Sequence, residues 1–265
     1  MENIVDVSKI EGPISIFWTG GWDSSYRVVE LSRQKVTVQP IYILDDTRAS
    51  NERELEAIKT ITEMLQGREE TQAEILPVKI IRVQDIPENP EITGFVKTLM
   101  AEYGWGIQHE WTARVALMYP MIEMCIEKVT KGYMPTRKLI ADHGSLKMSA
   151  HGWVIDTENS DETLIAALGN ITLPIFETTE LDMLENIKAW GYEDVMSHIW
   201  FCHRPINGEP CGLCSPCHTK YDSNMGFLLS NKAKKRCKRA AQVEKIFGKR
   251  VADRYKRVVR KNASK

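Results

Sequence analysis

The run Ile14-Ser15-Ile16-Phe17-Trp18 leads without a spacer into Thr19-Gly20-Gly21-Trp22-Asp23-Ser24-Ser25. No other stretch constrains the fold as strongly. The apolar run predicts a buried strand. Tyr26, Val28, Val29 and Leu31 predict a helix over 24–34 with a buried side. Two adjacent glycines let the backbone turn tightly and bring its N–H groups close to an anion. The N-terminus of the following helix adds a favourable partial charge at the same place. Asp23 can hold a magnesium ion, and Ser24 and Ser25 offer hydroxyls to phosphate oxygens. An ordinary Gly-Gly turn is the alternative, but the full loop after an apolar strand favours a nucleotide phosphate.

A second pattern lies near the other end. Cys202, Cys211, Cys214 and Cys217 form Cys-x8-Cys-x2-Cys-x2-Cys. Short Cys-x2-Cys spacings let tight turns present several thiolates to one tetrahedral ion, for which zinc is the default. An iron–sulfur cluster is the competing ligand. A disulfide framework is disfavoured, because a chain of 265 residues needs no staples and shows no secretory signal. His203 and His218 flank the cluster as alternative ligands or plain neighbours. Cys125 reads as a small core hydrophobe, and Cys237 is assigned no role.

There is no Gly-x4-Gly-Lys-Ser/Thr anywhere in the chain. The first loop instead resembles the Ser-Gly-Gly-x-Asp-Ser loop of the PP-loop ATP pyrophosphatases, with Thr19 in place of the usual serine. That loop together with the four cysteines resembles the 7-cyano-7-deazaguanine synthase family. Gly212 matches the glycine after its second cysteine, and Ile171-Thr172-Leu173-Pro174-Ile175 is similar to its Ile-x-x-Pro-Leu stretch. The resemblance runs from about residue 14 to 225, and is weak in the middle. Thr112-Ala113-Arg114-Val115 keeps only the alanine and arginine of a Pro-Ala-Arg-Asn stretch. Asn159-Ser160-Asp161-Glu162-Thr163 keeps only an aspartate of the family's substrate stretch, and Thr178 and Thr179 stand near the place of a usual lysine.

The resemblance implies a Rossmann-like parallel α/β sheet of the adenine nucleotide α-hydrolase type, with a C-terminal helical zinc-binding segment. It implies ATP, Mg2+ and Zn2+ as cofactors. The implied substrates are a 7-deazaguanine carboxylate and ammonia, giving an amide or nitrile. The drift in the substrate half makes a diverged member the expectation, and a protein or nucleic-acid amine, as in bacterial defence, an alternative acceptor. tRNA thiolation and a zinc-stabilised nucleic-acid-binding module with a vestigial nucleotide site are further alternatives. Thr19, Gly20, Gly21, Trp22, Asp23, Ser24 and Ser25 would hold the nucleotide, with Asp45 at magnesium or ribose. Arg114 would contact phosphate or carboxylate, or else pair with Glu110 one turn back. Asp161 and Asp142 are candidates for the substrate, and Cys202, Cys211, Cys214 and Cys217 for the metal. Trp105, Trp111 and Trp153 either stack a purine or pack in the core.

Residues 1–195 are expected to form the ATP-binding domain, and 196–265 the four-cysteine zinc segment and basic helices. Strands are expected at 38–44, 78–83 and 138–142. Helices are expected at 52–66, at 108–129 with a kink at Pro120, and from the Thr179–Asp182 capping box to Trp190. The strand ends then place Thr19–Ser25, Asp45-Asp46 and Asp142-His143 on one rim. Charge is uneven. Residues 231–265 carry 15 Lys and Arg against 2 Asp and Glu, while the remainder carries 20 against 34. Val243, Ile246, Phe247, Val251, Tyr255, Val258 and Val259 recur there at helical spacing, which predicts an amphipathic helix. It either docks with a solvated basic face or meets an anionic partner such as tRNA. No membrane span or targeting segment is evident, so the cytoplasm is expected, and exposed helices are compatible with a homodimer.

Overall fold

The computed structural model describes residues 7, 10–129, 133–223 and 225–263. In chain order the elements are β1 (Ile14–Phe17), α1 (Trp22–Ser32), β2 (Thr37–Leu44), α2 (Asn51–Gln66), β3 (Glu74–Ile75), β4 (Lys79–Arg82), α3 (Pro90–Tyr103), α4 (Gln108–Met118) and β5 (Ile122–Glu123). Then follow α5 (Pro135–His143), β6 (Leu146–Ser149), β7 (Gly152–Ile155), α6 (Glu162–Leu168), β8 (Ile171–Leu173), α7 (Glu180–Trp190) and α8 (Glu193–Met196). The chain closes with α9 (Ser215–Asp222), α10 (Asn231–Phe247) and α11 (Lys249–Ala263). Among the described residues no helix is long and apolar enough to cross a membrane.

One mostly parallel sheet runs in the order β3-β2-β1-β5-β8-β7-β6, with β4 also paired to β2. The long β2 pairs with β3 through Thr37 and Val38, and with β4 through Ile41 to Leu44. β3 and β4 are therefore two halves of one edge, broken at Pro77, whose carbonyl accepts the Gln39 side-chain amide at 3.0 Å. Strands β1, β2, β5 and β8 are parallel, whereas β7 and β6 finish the sheet as an antiparallel hairpin. Ile16, Val28, Val29, Ile58, Ile61 and Ile187 fill one face. Phe17, Val96, Leu99, Val115, Leu139 and Leu164 fill the other. The result is the three-layer α/β arrangement expected when strands alternate with helices.

Two expected elements are corrected. The helix expected over 108–129 ends at Met118, because Pro120 cannot donate a backbone N–H and disfavours helical geometry at Tyr119. Met121 then adopts φ 64°, and Ile122-Glu123 forms the strand between β1 and β8. Residues 138–142 are helix, not strand. Pro135 opens α5, and Lys138 pairs with Asp142 one turn on at 2.5 Å. Asp142-His143 therefore stands at a helix end, not on the strand rim. The capping box at Thr179 and Asp182 and the close of α7 at Gly191 are as expected.

Helix α1 is buried on nearly every side, with only Asp23 not fully buried. Its Arg27 reaches β5, bonding both carboxylate oxygens of Glu123 at 2.9 and 2.7 Å, and Glu30 at 2.5 Å. Burial opposes the charge on Arg27, and the two carboxylates outweigh it, so the guanidinium is held protonated more firmly than usual. Removing the cation strands two buried carboxylates. Arg27→Met is expected to lower stability by about 3–5 kcal/mol in urea unfolding. A loss below about 1 kcal/mol would show that α1 and β5 are held together by packing alone.

Candidate functional site

From β1 the chain builds outward through β2 to the β3/β4 edge, then returns to the other side of β1 as β5. The loop after β1 and the segment after β5 thus diverge from adjacent parallel strands. Such a reversal opens a crevice beyond the carboxyl ends of the strands. Thr19–Ser25 occupies it.

The loop geometry explains its glycines. Gly20 has φ +69°, and a side chain there would meet the Glu54 carbonyl oxygen at 2.9 Å and the Ala57 Cβ at 3.0 Å. Gly21 caps α1 with no side-chain bond, leaving the first N–H groups of the helix available. Ser25 does not face a ligand: its Oγ accepts the Trp18 indole N–H at 2.9 Å. Ser24 lines a small cavity of about 240 Å3 with Thr112, His109 and Cys125. His109 stacks on Trp105 with centroids 4.0 Å apart, and burial lowers its pKa to about 4, so it is neutral near pH 7. The Cys125 thiol, at the end of β5, is pushed up by burial and by the Glu123 charge.

On the other side of the loop lies a cavity of about 500 Å3, lined among others by Thr19, Gly21, Trp22, Asp23, Arg48, Glu54, Glu127, Trp200, His203 and Lys220. Carboxylate oxygens of Asp23, Glu127 and Glu180 lie within 4.8 Å of one another. Lys220 pairs with Glu180 and is itself buried. Burial raises the Asp23 pKa, and Lys220 partly offsets it. Burial and then the Asp23 charge push Glu127 up to about 7. Burial lowers the Lys220 pKa against the pull of Asp23 and Glu127. One Asp23 oxygen and one Glu127 oxygen are buried without a hydrogen-bond donor, as is the Trp22 indole N–H without an acceptor. Three carboxylates this close suit a hard divalent cation with oxygen ligands.

The four cysteines converge as expected. Cys202, Cys211, Cys214 and Cys217 are buried, with Sγ separations of 3.4 Å (214 to 217), 3.9 Å (202 to 214) and 4.0 Å (211 to 217). Four sulfurs each about 2.3 Å from one tetrahedral zinc lie about 3.8 Å apart. The quartet therefore fits a single metal ion such as zinc, and leaves no room for the extra atoms of a multi-iron cluster. None of the six cysteines is in a disulfide. The backbone N–H groups of Cys211 and Leu213 point at the Cys202 and Cys211 sulfurs at 3.1 and 3.2 Å, which favours thiolates. Gly212 has φ +66°, and a side chain there would strike the Ala233 carbonyl at 2.2 Å, so α10 seats directly on the knuckle. Cys237 packs beneath, its sulfur 3.7 Å from the Cys217 carbonyl.

The knuckle also walls the cavity of about 500 Å3. The Trp200 N–H donates to the Gly20 carbonyl at 2.7 Å, and α9, which begins after Cys214 and contains Cys217, carries Lys220. Lys220, Glu127 and Glu180 escape a reading of local patterns, since they come from three distant segments. The one local clue to Lys220 is its place one turn beyond the last cysteine.

Other expected site residues lie outside this constellation. Arg114 pairs with Glu110 at 2.8 Å and donates to the Ile86 and Pro87 carbonyls, which ties α4 to the segment before α3. Asp45 accepts from the backbone and hydroxyl of Thr47 at 2.9 and 2.7 Å, forming a turn, and Asp46 pairs with Arg82. Asp161 caps α6 by accepting from the Leu164 N–H and bonds His143 at 2.6 Å. His143 and Asp142 both contact the Tyr103 hydroxyl, at 3.1 and 2.9 Å. Asp142 and Asp161 thus share one separate cluster. Trp105 is core, while Trp111 and Trp153 pack partly buried against it. The basic C-terminus is a hairpin of α10 and α11 broken at Gly248. Ala240 and Ala252 are buried in it, while Ile246, Phe247, Val251 and Val258 are exposed.

No family model matches the chain, and no curated protein is similar enough to be matched.

Metal analysis of protein purified without oxygen is expected to give one zinc per chain. Cys214→Ser is expected to leave less than one, and to lower Tm by on the order of 10 °C. Wild-type stability in the variant would contradict a structural ion.

Proposed function

We propose that the chain is an ATP-dependent C–N ligase of the PP-loop type, which adenylates the carboxylate of a 7-deazaguanine and passes the acyl group to an amine. One observation carries the reading. Thr19, Gly21, Trp22 and Asp23 of the loop line one cavity at the reversal point of the sheet with Glu127 and the buried Lys220, and Glu180 brings a third carboxylate within 4.8 Å of Asp23 and Glu127 from the adjoining wall.

In the proposed reaction a carboxylate oxygen attacks the α-phosphorus of ATP and pyrophosphate leaves. Backbone N–H groups at the start of α1 face the leaving phosphates, and the helix adds its positive end. Asp23, Glu127 and Glu180 would hold magnesium, which would neutralise phosphate charge. An amine then attacks the acyl carbonyl and AMP departs, leaving an amide. The amide oxygen then attacks the α-phosphorus of a second ATP, releasing pyrophosphate and a proton, and loss of AMP with the remaining N–H proton leaves a nitrile. Catalysis of this kind is positioning and charge stabilisation by fixed groups. An ion held by all four cysteines would have no open position, and its part would be to hold α9 and the Trp200 segment against the loop.

A macromolecular amine is the second reading. The exposed apolar and basic face of the α10–α11 hairpin favours it, since that surface suits a large anionic partner.

Mass spectrometry of a reaction with ATP, magnesium, 7-carboxy-7-deazaguanine and ammonium is the test. AMP, pyrophosphate and an amide or nitrile are the expected products, and Asp23→Asn is expected to slow AMP formation on the order of 100-fold. AMP without either product would move the acceptor to a macromolecule. Unchanged ATP with every deazaguanine acid would overturn the proposal.

A further inference from the structure

The zinc knuckle contributes a side chain to the nucleotide cavity, and this contribution goes beyond holding the fold. Building on the proposed function, we propose that Lys220 is a phosphate-binding residue for the β- and γ-phosphates of ATP, delivered to the loop by the knuckle helix.

Four observations support this. Lys220 is 7 % exposed, and a lysine so buried is seldom retained for packing alone. It lines the same cavity as Thr19, Gly21 and Asp23, across from the loop. The indole N–H of Trp22, a residue only 3 % exposed that also lines this cavity, has no acceptor, and Lys220 lies 5.8 Å from its ring. A buried donor without an acceptor beside a buried ammonium is a pair waiting for an anion. Finally, the free cavity is acidic. Asp23 and Glu127 line it beside Lys220, Glu180 stands within 4.8 Å of both, and the other lining cation, Arg48, is taken by Glu54 at 2.8 Å.

The last point sets the order of events. A triphosphate is expected to enter with a divalent cation, which draws the carboxylates to itself and favours their charged forms. The ammonium, no longer needed to hold the carboxylates together, is free to bond phosphate oxygens. A lysine suits this shift better than an arginine, because a flexible stem with a compact charge can exchange partners without matching a planar fork. Lys220 sits three residues after Cys217, so the ion in the knuckle fixes where that stem starts.

Equilibrium binding separates this role from a structural one. AMP and a non-hydrolysable ATP analogue are titrated with magnesium into wild type, Lys220→Gln and Lys220→Arg, each checked for zinc content. Lys220→Gln is expected to keep its zinc and its AMP affinity, while its affinity for the ATP analogue falls about ten- to hundredfold. Lys220→Arg is expected to recover part of the loss. Should Lys220→Gln fail to fold, Lys220→Met, which keeps the packing of the stem and leaves all three carboxylates in place, is expected to show the same selective loss. Equal weakening toward AMP and the analogue, or none toward either, would overturn the role of Lys220 and leave the proposed function standing. Failure of the wild-type chain to bind any nucleotide would overturn both.

Discussion

The buried contact of Arg27 with Glu123 and Glu30 is the interaction on which the rest depends. Strand β5 is only two residues long, and one of them is Glu123. So short a strand pairs weakly with its neighbours, and its depth in the sheet is set largely by the two bonds from α1. Those bonds lock the helix that follows the loop to the strand that forms the other lip of the crevice. Glu127 follows four residues later, already in the cavity. Buried ion pairs are not strong sources of net stability, but they reject alternative arrangements that would leave a charge bare. Here the rejected alternatives include any slip of β5 that would carry Glu127 away from Asp23.

A second constraint acts from the opposite wall. The knuckle forms its own small core around the cysteines, with Leu213, Leu229 and Ala240. It touches the loop by a backbone bond, Trp200 to Gly20, and the acidic cluster by a side chain, Lys220 to Glu180. A metal ion bound by four thiolates is a stiff anchor for a region with few apolar residues. The loop, the β5 lip and the knuckle therefore enclose the cavity from three sides, each fixed by a different kind of interaction: backbone geometry at glycine, a buried ion pair, and metal coordination.

Features carried by neighbouring residues were legible in the sequence. The strand–loop–helix at 14–32, the cysteine spacing and the capping box at Thr179 all follow from local chemistry. Strand β5 was hidden, because the apolar positions on both sides of Pro120 continue one helical period and only the proline marks the break. The segment 138–142 is a short apolar run between two charges, which reads as a strand as easily as a helix, and Pro135 at the first turn with Thr136, Leu139 and Ile140 buried at helical spacing decides for helix. Arg114 had two readings of equal merit, and proximity to Glu110 on the same helix face takes its charge. Of the site cluster only Asp23 was legible, as part of the loop, since Glu127, Glu180 and Lys220 join it only through sheet topology and the knuckle.

The central claim is that these three walls close on one nucleotide, and hydrogen exchange tests it most directly. Zinc-loaded protein is compared with and without magnesium and a non-hydrolysable ATP analogue. The account predicts slowed exchange together in Gly20–Ser25, in residues 124–128 and in α9, with α10 and α11 unchanged. Protection confined to the loop, or appearing on the Tyr103–His143–Asp161 cluster instead, would contradict it.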